Sequence, residues 1–326
     1  MNSLSDILTS PHLYSAAVTL LLLIALKAVL AQFVTQQPLA YFSFYCQRLA
    51  EKVNKASNSP RQQHISGFIA IVVTLIPLLL ILGLFEAFIA IPWLWHCVLL
   101  YLALGSFGLS KSCQAIARDL VANQTYLAKS KLAPLVLRDT EQLSVLGISK
   151  ACIEMQLLRS TQLLVGVGFY YLLLGPLAAL AFRLLVEMHY AWNIKLPRFA
   201  YFGVCVNQTV KLLQWIPARL FALVLWLGTI SQNPILYWRL VRSKFFSNNN
   251  DLLLHILALG LSIRLSGVAS YHGQKVRKPS FNDQARQPQS TDIIHASKRI
   301  NYALYLLLLG LMLLAIISYS ISGISP

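Results

Sequence analysis

Apolar residues along this chain fall into long continuous runs separated by polar, basic stretches. The runs at 14–34, 67–91, 93–110 and 301–321 show no strand-like alternation. Each is close to the roughly 20 residues that a helix needs to cross a bilayer. Two further runs are interrupted. Residues 161–186 carry Gly175-Pro176 in their middle and read either as one kinked span or as a broken, re-entrant pair. Residues 212–230 contain Pro217 and Arg219.

The stretches between the runs have their own periods. In 111–160 apolar positions recur at three and four, predicting two or three amphipathic helices outside the bilayer, with Thr140 as a cap ahead of Leu143 and Val145. QQPLAYFSFYCQRLAEKVN predicts another amphipathic helix after Pro38, ended by the turn-rich SNSPRQQHIS. In 231–299, DLLLHILALGLSIRLSGVASYHG begins with helical spacing and then passes into small residues and a turn at Gly267, and NDQARQPQS reads as flexible. The pattern predicts an all-α polytopic membrane protein forming a single integral membrane domain over 1–326. It has about four firm transmembrane helices, two interrupted or re-entrant segments and amphipathic cytoplasmic helices. Runs that do not alternate exclude a membrane β-barrel.

Composition agrees with this class. The chain is 57% hydrophobic and 12% charged, with mean hydropathy +0.62, against about 25% charged in an ordinary soluble domain. The lead before the first run has no basic residues, and Lys27 interrupts that run, so it reads as a span rather than a signal peptide. Lys27 is expected to snorkel or to face another helix. The five cysteines show no paired metal spacing and read as packed thiols.

The net charge of +16 is scattered over several loops without a nucleic-acid-binding motif, so no nucleic-acid partner is expected. The charge instead fixes an orientation. Loops 35–66, 111–160 and 231–299 are basic; the last carries ten Lys or Arg against three Asp. The two ends and the turn at Pro92 carry almost no charge. Basic loops stay cytoplasmic, which places a multi-pass protein in the inner (plasma) membrane with both termini outside. Loop 187–217 is also net positive, and fits that scheme if the interrupted runs flanking it are re-entrant.

Stand-alone chemical motifs are absent: the chain has no GxxxxGK[ST], HExxH, CxxC or GxSxG, and its histidines are dispersed. Weaker segments occur in a particular order. Arg138-Asp139-Thr140 precedes Leu143, Gly147 and Ile153-Glu154; Tyr170-Tyr171, Gly175-Pro176 and Ala181-Phe182-Arg183 follow. Phe202-Gly203 leads to Ile216-Pro217-Ala218-Arg219-Leu220, and then to RLSGVASYHG with a Lys278-Pro279 after it. This order resembles the CobD/CbiB family of cobalamin biosynthesis membrane proteins, whose glycine-rich segment has the form G-x-R-L-G-G-x-x-x-Y-x-G.

The resemblance implies an activity: amide formation between adenosylcobyric acid and aminopropanol or its phosphate, giving adenosylcobinamide or its phosphate, with ATP and Mg²⁺ implied as cofactors. The implied partners are the corrinoid and the aminoalcohol phosphate, in a lipid bilayer. Arg138, Arg183 and Arg219 are then expected to bind phosphate or carboxylate through the guanidinium fork. Asp139, Glu154, Glu187 and His189 are expected to serve catalysis by taking a proton from the amine, with acids such as Asp139 and Glu154 also able to hold a cation. Arg138, Asp139, Glu154, Arg183 and Arg219 are expected to converge on one cytoplasm-facing cleft, with Glu187 and His189 near its rim.

The chain departs from the family where the family is acidic. After Glu154 the family continues S-x-A-E-N-x-x-D, and here the positions are Met155, Leu158, Arg159 and Gln162. The family's paired aspartates before P-A-R-L fall at Val210 and Lys211, and its N-T-L-D-S-M at 186–191, which holds Glu187 and His189. A second class of function therefore stays open. AmpE proteins of the same superfamily carry a W-x-P-x-R-L segment without the acids, and imply a non-catalytic sensor or regulator. The sequence sets no oligomeric state.

Overall fold

The computed structural model describes residues 11–30, 39–55, 57–105, 108–228, 234–242 and 244–322. Both chain ends, and Gln37-Pro38 ahead of the first amphipathic segment, lie outside the described residues. By compactness the chain divides into two units interleaved in sequence. One comprises 1–107, 163–213 and 306–326, and the other 108–162 and 214–305.

The first unit is built on α1 (Pro11–Leu30), α2 (Ala40–Val53), α3 (Pro60–Phe85) and α4 (Pro92–Ala103). It continues with α8 (Val167–Leu174), α9 (Pro176–Ala191) and α10 (Val204–Leu213). Its core gathers Leu20 and Leu23, Leu99 and Leu100, Val167 and Tyr171, Phe182, Trp192 and Phe202. The start of α3 is set by Ser59, whose hydroxyl accepts from the Gln62 N–H while the Gln62 side chain returns to the Ser59 N–H, with Pro60 in the first turn. The second unit holds α5 (Leu109–Val121), α6 (Thr125–Leu132), α7 (Val145–Ser160), α11 (Trp215–Leu227), α12 (Pro234–Arg242) and α13 (Asn249–Leu261). An antiparallel hairpin of β1 (Leu265–Tyr271) and β2 (Gln274–Phe281) follows, and then α14 (Ser290–Ser322), which runs on past residue 305.

The chain is a membrane protein rich in helices, with corrections to the predicted spans. Among the described residues, three helical segments are long and apolar enough to cross a membrane: 60–88, 145–174 and 290–317. The broken pair α10 and α11 makes a fourth if taken as one span. The apolar helices Tyr14–Leu30 and Pro92–Ala103 are shorter. The run at 161–186 belongs to two helices. Its first half continues α7 through a π-helical turn at Thr161–Gly166 into α8. The helix stops at Gly175, whose φ of 87° suits only a residue without a side chain, and Pro176 starts α9. The break between α10 and α11 falls at Gln214, because a Pro217 ring inside a continuous helix would collide with the carbonyl of Leu213.

Two helices of the 111–160 stretch behave as the period predicts. In α5 the buried positions are Leu109, Cys113, Ile116, Ala117 and Leu120, one face of the helix. The third, α7, is different. It buries Ile148 and Ser149 and every residue from Ala151 to Leu157, so it is a core helix rather than an amphipathic one. Its cap is Ser144, which accepts from the Gly147 N–H at 3.2 Å, not Thr140. The hairpin adds a small sheet to a fold read from sequence as all-α.

The Phe202-Gly203 segment owes its identity to close backbone packing. A side chain on Gly203 would stand 1.9 Å from the Trp192 carbonyl oxygen, and one on Gly67 of α3 would stand 2.1 Å from the Phe202 carbonyl oxygen. Gly203→Ala should therefore force backbone apart and destabilise by roughly 1–3 kcal/mol. Gly310→Ala, where nothing lies within 4 Å, should not. Thermal unfolding of the two variants in detergent checks this; equal midpoints would mean that the close approach is not there.

Candidate functional site

The hairpin organises the predicted site residues of the second unit. His272 and Gly273 form its two-residue loop, with φ of 48° and 77°. Positive φ at both loop positions matches the right-handed strand twist. Gly267, at φ 111°, lies in a register shift between Ser266 and Val268. Ser262 and Ser266 stand where the family form has glycine, yet both hold φ near 50–65° (52° and 64°). A non-glycine residue pays about 1–2 kcal/mol for that conformation.

Asp139 clasps the loop. Its Oδ2 accepts from the Ser270 hydroxyl at 2.7 Å and the Gly273 N–H at 2.9 Å, and its Oδ1 accepts from the His272 N–H at 3.0 Å. Its own N–H donates to the Ser270 carbonyl at 3.0 Å. The Gly273 N–H and the Ser270 hydroxyl hold its carboxyl below the usual aspartate range.

One residue earlier, Arg138 pairs with Glu154 of α7 through Nη2 and Oε2. The second oxygen of Glu154 accepts from the Ser266 N–H at 3.0 Å. Burial works against the Arg138 charge, but the Glu154 carboxylate and the Tyr271 phenol beside it outweigh burial and push its pKa up. Lys278 donates to the Tyr271 hydroxyl at 2.7 Å, and Lys150, one turn before Glu154, reaches the Ser266 carbonyl at 3.4 Å. Three cations thus stand around one buried carboxylate and one phenol, an arrangement suited to an anionic group of a ligand. Tyr271, Lys278 and Lys150 were not among the predicted site residues. Tyr271 and Lys278 lay in view, as the tyrosine and the K-P lysine of the glycine-rich segment.

Arg219 has other partners in the same unit. It stacks 4.2 Å from the Trp215 ring, and donates to the Trp215 carbonyl at 3.0 Å, Asn249 Oδ1 at 2.6 Å and the Ser247 carbonyl at 2.9 Å. It ties the first turn of α11 to the start of α13. Where the family has acids, Gln162 donates to Gln214 Oε1 at 3.1 Å, both side chains buried, and Val210 is buried as an apolar residue.

Arg183, Glu187 and His189 lie on α9 in the other unit. Arg183 Nη2 and Glu187 Oε1 pair at 2.6 Å, one turn apart. Arg183 is 2% exposed, and its Nε and Nη1 have no hydrogen-bond partner among the described residues; neither has His189 Nδ1. In the same unit Lys27 faces another helix, as one of the two expected outcomes had it, donating to the carbonyls of Tyr101 and Leu104.

The donor set does not fit a Mg²⁺ ion held by the protein. Both oxygens of Asp139 and of Glu154 already accept hydrogen bonds. No cluster of three or more His, Cys, Asp or Glu side chains stands together among the described residues.

The Asp139 clasp has a pH signature. Its pKa is lowered on folding from about 3.9 in the unfolded chain. Its stabilisation is therefore full above the unfolded value and is lost as pH falls through the folded one. Amide exchange at His272 and Gly273, corrected for intrinsic rates, should lose protection on acidification below about pH 4 in the wild type. Asp139→Asn should be unprotected already at neutral pH. Protection unaffected by either change would mean the clasp does not hold the loop.

The chain matches the CobD/Cbib protein family over residues 20–300. It is 29% identical over 271 residues to the cobalamin biosynthesis protein CobD of Stutzerimonas stutzeri (strain A1501), covering 83% of this chain and 88% of that protein. It is 29% identical to the protein of the same name from Chromobacterium violaceum, over 64% of this chain and 66% of the relative. The CobD of Yersinia enterocolitica is 28% identical over 71% and 74%. No solved structure matches the chain. With the family matched across most of its length, the chain belongs to the CobD/CbiB family of cobalamin biosynthesis proteins.

Proposed function

We propose that this protein forms the amide bond that joins adenosylcobyric acid to aminopropanol phosphate, giving adenosylcobinamide phosphate. The observation that supports this best is the Arg138–Glu154 pair seated on the hairpin. It retains the family's R-D-T, I-E and glycine-rich segments as one contiguous arrangement. In this reading Arg138, Lys150 and Lys278 take the phosphate of the amine substrate. Arg219 fixes the start of α11 against the start of α13, and Glu154 and Asp139 act by positioning. Arg183, Glu187 and His189 lie on α9 of the other unit and have no part in this arrangement. ATP, as co-substrate, would supply the phosphoryl group that activates the carboxylate, so that the C–N bond forms as the carboxylate oxygen leaves with phosphate and ADP is the other product.

A second reading, an AmpE-like sensor without catalysis, draws on one observation. The predicted acids are engaged in internal contacts, and the family's acidic position at 162 is an amide bound to Gln214. A strain lacking its adenosylcobinamide-phosphate synthase separates the two. Expression of this chain should restore growth on cobyric acid and make no difference on cobinamide, which lies past the step. Arg219→Ala and Glu154→Gln should each lose the rescue while staying in the membrane. Each removes charge-assisted hydrogen bonds within the protein, worth about 1.5–3 kcal/mol each, that join one segment of the arrangement to another. Absence of rescue by the membrane-inserted wild type would select the sensor reading.

The charge distribution supports an inner-membrane location with both termini outside the cytoplasm. Single cysteines at Ser3 and Ser325 should react with an impermeant reagent applied to intact cells, and protection of both would reverse the orientation.

A further inference from the structure

The exposed face of α2 changes chemistry along its length. Tyr41, Phe44, Tyr45, Arg48, Glu51 and Lys52 follow the i, i+3, i+4, i+7 spacing of a single helix face, and all are exposed. Its first half is aromatic, with Tyr41 83% and Phe44 56% exposed. Its second half is charged, with Arg48 bonded to Glu51 at 3.0 Å, and Lys52 and Lys55 beyond. The opposite face is packed: Cys46 and Ala50 are buried, and the Trp192 indole donates to the Cys46 carbonyl at 2.9 Å. The aromatic half is therefore exposed, with Tyr45 stacked on Phe42 and reaching α3 through its hydroxyl, on a helix that is otherwise held in place.

The neighbouring spanning helix supplies a depth scale. The Tyr45 hydroxyl lies 3.4 Å from the Thr74 hydroxyl of α3. Thr74 is fourteen residues past Pro60, about 21 Å along the helix axis, and nine past Ile65, where exposed apolar residues begin, about 13 Å. Around that level α3 presents Phe68, Ile69, Val73, Ile76 and Leu80 outward, each more than half exposed. The other end of α2 joins the polar start of α3 through a short turn, and Asn54 is anchored there by its bond to the Arg198 carbonyl at 2.8 Å. A tyrosine hydroxyl next to hydrocarbon needs a partner, and the Thr74 hydroxyl is one. In water neither hydroxyl would need the other.

We infer that α2 is a half-membrane helix, whose Tyr41–Tyr45 end enters the acyl layer of the leaflet surrounding the start of α3, and whose Arg48–Lys55 end lies among the headgroups and in water. The partner of the exposed aromatic face is lipid. The crossover falls between Tyr45 and Arg48. Arg48 marks it, with its guanidinium 5.0 Å over the Phe44 ring and paired with Glu51. Exposed aromatics at one end and a cluster of charges at the other are what an acyl-to-headgroup gradient selects. The sequence pattern by itself assigns the whole 35–66 segment to the cytoplasm. The tie between Tyr45 and Thr74 moves its aromatic end into the bilayer.

The test is a depth series on the full chain in phosphatidylcholine–phosphatidylglycerol bilayers, with Cys97 and Cys205 replaced by serine. Single nitroxides at Tyr41, Phe44, Arg48 and Lys52 are read for accessibility to oxygen and to a water-soluble nickel chelate. The ratio of oxygen to nickel accessibility should fall steadily from Tyr41 to Lys52. Full nickel accessibility at all four sites would overturn the inference and leave a water-facing docking surface. Shielding of all four from both reagents would also overturn it, in favour of a second copy or another protein packed on this face. A label-free measurement guards against misfolded variants. A diazirine lipid probe should modify the 41–45 segment of the wild-type protein while an impermeant amine reagent modifies Lys52 and Lys55. Carbene labelling absent from 41–45 would sink the proposal.

Discussion

Glu154 is buried in the interior of its unit, and a buried carboxylate is tolerated only when its charge and its lone pairs are met. Here they are met from two directions, by Arg138 from the preceding loop and by the Ser266 N–H at the register shift of the hairpin. The register of β1, the path of the Arg138-Asp139-Thr140 segment and the rotation of α7 all depend on that carboxylate. Removing one partner leaves the other charge buried and unpaired, which in general is strongly destabilising. The pair is therefore a constraint on the fold as much as a candidate for chemistry.

The same economy runs through the other predicted residues. Asp139 spends both oxygens on the hairpin loop, and Arg219 spends its guanidinium on Trp215, Ser247 and Asn249. Residues retained from the family framework are thus those whose side chains join one segment of backbone to another. The family acids that this chain lacks have given way to neutral groups, a buried amide pair at Gln162 and Gln214 and an apolar Val210. Replacing an acid by an amide or an aliphatic group removes the cost of burying charge, and with it the capacity to hold a cation. Arg183 keeps two buried donors without partners among the described residues, and Arg219 keeps one, a cost that a folded protein ordinarily avoids.

The membrane imposes a second constraint. Backbone groups at membrane depth must find partners within the protein, and the breaks at Gly175 and Gln214 fall at residues that end one helix and begin the next within a residue or two. Close backbone contacts, as at Gly67 with Phe202 and Gly203 with Trp192, bring the resulting short helices together without side chains between them.

The membrane class, the long apolar helices, the break at Gly175-Pro176 and the family were legible in the sequence, because hydrophobic runs, glycine and proline act locally and the framework segments keep their order. Arg138, Asp139 and Glu154 were also legible, through the segments that carry them. The hairpin was not: its strands contain only scattered β-branched residues, and its loop signal, His272-Gly273, was hidden beside the small residues around Gly267. Nor was the character of α7, whose apolar spacing reads as amphipathic although neighbours cover every side. Periodicity records which positions are apolar, and not how many neighbours surround a helix. What only tertiary structure decided was the partner of each charge. Arg183 pairs with Glu187 four residues away on its own helix, whereas Arg138 reaches Glu154 and the hairpin, and Arg219 reaches Asn249, thirty residues on. The choice of partner for a buried charge depends on distances in space, and those are set by packing that no stretch of sequence contains.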